Sequence, residues 1–97
     1  MIARALSCNW IQIEVTDDVW QQCLSTHPDL VLEDVLDTIT TPDDIFGDGN
    51  GKIFVNRHMP DGRWLIVAYR EGGGEHGSFE DAFFSHKPRT SEMRVQL

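Results

Sequence analysis

Residues 52–71 read Lys52-Ile53-Phe54-Val55-Asn56-Arg57-His58, then Met59-Pro60-Asp61-Gly62, then Arg63-Trp64-Leu65-Ile66-Val67-Ala68-Tyr69-Arg70-Glu71. β-Branched and aromatic residues fill both runs, and a Pro-Asp-Gly turn separates them. A third run, Ser78 to Ser85, follows the loop Gly72 to Gly77. Three such runs joined by short loops predict an antiparallel β-meander. In the second run Leu65, Val67 and Tyr69 alternate with Trp64, Ile66 and Ala68, so both faces are apolar. That pattern predicts a central strand covered on both sides.

Upstream of the meander, Ile11, Ile13 and Val15 share one face of a short strand. Thr16-Asp17-Asp18 then supplies the cap and first-turn acids of a helix from Asp18 to Ser25. Val19, Trp20, Cys23 and Leu24 form its apolar stripe, which makes Cys23 a core thiol. Pro28 favours the first helical position, so Thr26-His27-Pro28-Asp29 predicts the start of a second helix, with His27 at or beside its N-cap. Val35, Leu36 and Ile39 line its buried face, and Thr41-Pro42 stops it. Pro42 to Gly51 reads as an irregular connection, and Met1 to Leu6 as a start segment or part of the first strand. The expectation is one α+β domain over residues 1–87: an N-terminal strand, two helices, then a three-stranded antiparallel β-meander packed on the helices. Residues 88–97 read as a C-terminal tail, with Met93 to Leu97 a candidate edge strand.

Ninety-seven residues leave room for one core. Cys8 and Cys23 are too few for a disulfide framework and lack metal-ligand spacing, which suits a reduced, cytoplasmic setting. No apolar run reaches the length of a membrane span, and the N-terminus has no signal-peptide pattern. Net charge is −8, unevenly spread: residues 1–51 carry ten acids and one base, residues 52–97 six acids and seven bases. This asymmetry reads either as a solvated acidic helix face that keeps the chain soluble or as a sheet half on which any anionic ligand would dock. A broad basic footprint for nucleic acid is absent. Asp43, Asp44 and Asp48 fit no calcium-loop frame. The glycine triplet at 72–74 fits no phosphate-loop pattern. Four scattered histidines provide no zinc spacing. No metal or cofactor is expected.

With a four-residue first loop, His58 would face Arg63, Asn56 would face Leu65 and Phe54 would face Val67. With Gly72 to Gly77 as the second loop, Glu71 would face Ser78 and Arg63 would face His86. His58, Arg63 and His86 would then form one row at one end of the sheet. Two imidazoles flanking a guanidinium suit phosphodiester chemistry: one takes the 2′-hydroxyl proton, one protonates the leaving oxygen, and Arg neutralises the phosphorane. Histidine's ordinary pKa of about 6.5 serves both roles. The same residues equally suit a solvated strand end, and a one-residue slip would break the row. His27 reads either as a surface cap residue or as a neutral donor or base near the sheet. Asp81 needs a partner if buried, and Arg70 lies on its face in this register.

Trp20, Thr26-His27-Pro28-Asp29-Leu30, Val35-Leu36-Asp37-Thr38-Ile39 and Pro42-Asp43-Asp44-Ile45 resemble the front half of phage-associated members of the barnase–EndoU–colicin–RelE-like ribonuclease group. Arg63 to Glu71 is similar to that group's central strand, and Phe79 to Lys87 to its closing strand. The likeness spans most of residues 10–87. It implies a small metal-independent endoribonuclease, toxin-like or carried on a mobile element, acting on RNA by transesterification without cofactor. Position by position it implies His27, Arg70 and Lys87 as catalytic candidates; His58, Arg63 and His86 come from the register instead. Glu80 and Asp81 depart from the group's pattern, which has an aliphatic residue and Thr there. A second function class stays open: a non-catalytic acidic binding or inhibitor module whose Glu33, Asp34 and Asp37 face engages a basic partner protein.

Overall fold

The computed structural model describes residues 2–47, 49, 51–72 and 76–87. The elements run β1 (Ala3–Leu6), β2 (Gln12–Val15), α1 (Asp17–Thr26), α2 (Leu32–Thr40), β3 (Asp44–Gly47), β4 (Lys52–His58), β5 (Trp64–Glu71) and β6 (His76–Ser85). The strands form one six-stranded sheet in the order β1-β2-β6-β5-β4-β3. All neighbours are antiparallel except β2 and β6, which run parallel. The α+β class and the β4–β5–β6 meander are as expected, but the sheet has twice the three meander strands.

Two of the extra strands come from segments whose own sequence is a weak signal. β3 holds only Ile45 and Phe46 between Asp44 and Gly47, and its strand character comes from pairing with β4. β1 is a separate strand, paired with β2 through a turn at Ser7–Ile11. The Ser7 hydroxyl accepts the backbone N–H of Asn9 and Ile11 and donates to Glu71 Oε2 at 3.0 Å. Within this turn Trp10 takes a φ of +64°, rare for a bulky side chain, and its indole is 80% exposed.

α2 begins at Leu32, four residues later than Pro28 suggests. The His27 N–H bonds back to Cys23 O, and the Leu30 N–H to His27 O. His27 therefore caps the C-terminus of α1 and does not start α2. Proline at the first helical position is permitted but not compelling; here the chain uses Pro28 and Asp29 as a turn.

The β4–β5 loop holds five residues: Met59 N–H bonds to Arg63 O, and Gly62 takes a φ of +90°. One added loop residue shifts the register, so His58 faces Trp64, Asn56 faces Ile66 and Phe54 faces Ala68. Between β5 and β6 the expected register holds from Trp64↔Ser85 to Ala68↔Asp81, then shifts so that Tyr69 faces Phe79 and Glu71 faces Gly77. Glu80 is the extra residue of this β-bulge. Without the bulge Tyr69 would face Glu80, and a carboxylate would enter the core. With it Phe79 fills that place, 2% exposed, and Glu80 turns to the other face.

The main core lies where α2 covers β1, β4 and β5 and α1 lies against β6. Ile13, Val15, Val35, Ile39, Val55, Leu65, Val67, Tyr69 and Ala82 are fully buried there. Each Val, Leu or Ile of this set contributes about 1.5–3 kcal/mol. β5 is buried from Leu65 through Tyr69, as its two apolar faces predict. On the opposite face Phe54, Ile66 and Ala68 form a second cluster with Phe83, built from the strands themselves. β2 pairs with β6 only through His76–Ser78. Beyond that point α1 takes its place: Trp20 packs on Phe79 at 6.2 Å between centroids. Gly77 allows the close approach of β6 to β5 and to β2, since a Cβ there would strike the Arg70 carbonyl and Ile13 Cδ1.

The expected tail and its candidate edge strand at residues 88–97 lie outside the described residues, as do Asp48, Asn50 and residues 73–75. No helix among the described residues is long and apolar enough to cross a membrane.

Candidate functional site

The six residues singled out in the sequence fall into two regions. At the 59–63 turn, the register shift separates His58 from Arg63. His58 is exposed at the end of β4, stacked on Trp64 at 4.8 Å, with its backbone N–H held by Asp43 Oδ2 at 2.7 Å. Arg63 points to the opposite face, where its guanidinium lies 3.9 Å from the Phe84 ring centroid. It also donates to Asp29 Oδ2 and Asp61 Oδ2, both at 2.8 Å. His86 and Lys87 follow β6 and are exposed. The expected row of His58, Arg63 and His86 on one face is not formed, because the five-residue loop turns His58 to the other face.

Arg63 is a structural clamp between the α1–α2 turn and its own loop. Its guanidinium bond holds the Asp29 carboxyl below the usual carboxylate range. Asp61 is lowered too, chiefly by the Arg63 backbone N–H and then by the guanidinium. Arg63 is raised in turn by both acids. A cation with two carboxylates and a ring already around it has little left to offer a phosphorane.

The second region is an open cleft of about 470 Å³ between α1 and the bulge of β6, lined by Gln22, Cys23, Thr26, His27, Lys52, Glu80 and Asp81. α1 brings His27 from its C-cap, with the imidazole 6.3 Å from the Phe83 ring. β4 brings Lys52, whose Nζ lies 3.5 Å from Glu80 Oε1 and 5.4 Å from the Phe54 ring. Arg70 of β5 does not line the cleft but meets its wall, with Nε 3.5 Å from Glu80 Oε2. Asp81, for which Arg70 is the expected partner, instead accepts the Cys23 thiol at 3.5 Å and the Ala82 N–H at 2.9 Å. Burial, with Asp81 adding to it, pushes the Cys23 thiol up to about 11, so it is a neutral wall and not a nucleophile.

Thus His27 alone of the six lines the cleft, Arg70 touches its wall through Glu80, and His58, Arg63, His86 and Lys87 do not line it. Sequence reasoning missed Lys52, Glu80 and Asp81 as cleft residues. The available signal was two successive charges in a strand otherwise rich in Phe, which break the alternation where the bulge lies. Among the described residues no cluster of His, Cys, Asp or Glu could hold a metal ion.

A third polar cluster packs under the β1–β2 turn, where Asn9 Nδ2 donates to Glu71 Oε1 at 3.1 Å beside the Ser7 contact. Burial, with Cys8 and Glu71 nearby, raises the Tyr69 phenol well above its ordinary value. It is a structural lock joining the turn to β5. Comparison of the chain with protein-family models, with curated proteins and with solved structures gives no match.

Proposed function

We propose that this chain is a small metal-independent endoribonuclease, working in the α1–β6 cleft. The observation that supports it is the convergence of an imidazole, two carboxylates and the Lys52 ammonium from three separate elements on one open site, with Arg70 of β5 meeting the Glu80 carboxylate in its wall. These are the groups that transesterification needs. A carboxylate accepts the 2′-hydroxyl proton as the 2′-oxygen bonds to phosphorus. The bond from phosphorus to the 5′-oxygen breaks, and His27 gives that oxygen a proton. Lys52 and Arg70 neutralise the charge that develops on the phosphoryl oxygens. The resemblance to the barnase–EndoU–colicin–RelE-like group points the same way, through His27 and Arg70.

The test is incubation of purified protein with single-stranded RNA in the presence of a chelator. Cleavage leaving 2′,3′-cyclic phosphate ends is expected, with His27→Ala slower by about 10²–10⁴-fold. Intact RNA, or full activity in His27→Ala, overturns the reading.

A second reading, an acidic module for a basic protein partner, is favoured by the solvent-facing acids of α2. Glu33 and Asp37 are exposed, and the Asp37 side chain, 67% accessible, meets Arg57 only at 3.9 Å. Salt-sensitive capture of a basic partner, lost on neutralising Glu33, Asp34 and Asp37, is its expected signature; capture that survives those changes sinks it.

A further inference from the structure

Three residues singled out in the sequence, His58, His86 and Lys87, lie outside the cleft, yet they gather at one end of the sheet around Trp64. Trp64 faces His58 on β4 and Ser85 on β6, so these three share one face. The His58 and Trp64 rings stack at 4.8 Å between centroids, 34° from parallel. Asp43 Oδ2 accepts the His58 N–H at 2.7 Å, which fixes the strand end that carries the imidazole. The pair is open to solvent, since His58 is exposed and Trp64 only half-buried. After Ser85 the chain turns back, the Lys87 N–H donating to Ser85 Oγ at 3.2 Å, and this keeps Lys87 at the same corner.

The face that carries this pair is continuous with the cleft. Along β5 and β6 it runs through Ala68 with Asp81, Ile66 with Phe83, and then Trp64 with Ser85. Asp81 lines the cleft, and the His27 imidazole lies 6.3 Å from the Phe83 ring. Same-face neighbours on a strand are two residues, about 7 Å, apart. The Trp64 and His58 rings therefore begin one step along the strands from the pair beside His27. Exposed rings next to a cation suit a single-stranded nucleic acid, with bases on the ring faces and phosphates near the charge.

We propose that the His58–Trp64 pair is a base-stacking subsite for an RNA strand whose scissile phosphate lies at His27, with Lys87 meeting a neighbouring phosphate. The inference rests on the ribonuclease reading for the identity of the ligand and adds where the strand runs. A ring holds a base by its flat face and ignores its hydrogen-bonding edge, so the subsite accepts any of the four bases.

The probe is a fluorescently labelled single-stranded 2′-O-methyl RNA, which keeps bases and phosphates and lacks the attacking hydroxyl. Its binding to the purified chain is followed by fluorescence anisotropy. Trp64→Leu is expected to weaken binding roughly tenfold, the scale of one lost base–aromatic stack. With an abasic probe of the same length, the same variant is expected to bind as wild type. Trp10→Leu removes the exposed indole on the turn that Asn9 ties to Glu71, at the other end of β5, and is expected to change nothing. Lys87→Met is expected to lower the slope of log affinity against log salt by about 0.7, the value of one single-strand phosphate contact.

Trp64→Leu binding the RNA probe as wild type overturns the proposal. So does an equal loss with the abasic probe or in Trp10→Leu, because stacking at Trp64 is then not the cause. Lys87→Met with a wild-type salt slope overturns it too, whatever the folding of Trp64→Leu, which circular dichroism checks. Because the probe cannot be cleaved, the two ideas separate. The expected binding pattern with ordinary RNA left intact keeps the subsite and removes the ribonuclease; cleavage with none of the pattern does the reverse.

Discussion

Arg63 and Arg70 lie at opposite ends of the β5 segment, and each meets acidic side chains, yet the two regions are built for different work. Arg63 is gripped by two carboxylates at 2.8 Å and roofed by Phe84. Arg70 and Lys52 share the Glu80 carboxylate, each at 3.5 Å, beside an open cleft. The first arrangement spends its charge on holding the α1–α2 turn to the β4–β5 loop. The second leaves its charge within reach of an incoming anion. Contact length and crowding, not residue type, separate the clamp from the candidate site.

The sharpest way to break this contrast is to remove one cation from each region and assay RNA cleavage. Lys52→Met is expected to lower the rate by about 10²-fold, the scale of losing one group that stabilises developing charge. Arg63→Met is expected to leave the rate unchanged while lowering the melting temperature. Equal losses in both variants would erase the distinction.

The two regions are joined by β6, whose seating between β5 and β2 depends on Gly77. Gly77→Ala has to push its Cβ away from the Arg70 carbonyl and Ile13. A destabilisation of about 1–3 kcal/mol is expected from chemical denaturation. A wild-type midpoint in this variant would show that β6 does not approach β5 and β2 this closely.

Alkali and acid probe the two regions separately. The Cys23 thiol titrates near 11 when folded, above its ordinary 9.0. Its contribution is therefore complete below about pH 9 and is lost as pH rises toward the folded value. Cys23→Ala is expected to lack this alkaline loss in thermal melts between those limits. Asp29 and Asp61 have the opposite sign. Their folded pKa values are depressed, so their contribution is present above the ordinary carboxylate range and lost as pH falls through the folded values. Wild-type and Arg63→Met melting curves are expected to converge in acid, a small effect because both acids are exposed. Curves that stay parallel would deny Arg63 its clamp role.

The meander was legible because alternation needs no knowledge of the rest of the chain. β4 runs from Lys52 to His58, as its composition predicts. What escaped depends on relations between segments. β3 becomes a strand through its pairing with β4, since Asp44 and Gly47 weaken its own signal. The His58–Arg63–His86 row failed on a single loop residue, because strand faces alternate and each slip reverses them. The cleft was hidden for the same reason twice over. Its His27, Lys52 and Glu80 are far apart in sequence, and Glu80 reaches it only through a bulge. That bulge follows from a core preference for Phe79, which is visible only once Tyr69 is known to face it.

The turn that carries Trp10 has a practical consequence. The three indoles sit in three surroundings: Trp20 is 7% exposed, Trp64 is half-buried against His58, and Trp10 is 80% exposed. Iodide, an ion confined to solvent, should reach Trp10 first and leave Trp20 dark to it until the fold opens. A Trp10→Phe chain would then emit mainly from the interior. The native protein thus carries its own optical reporters, one tuned to the solvent and one to the integrity of the core.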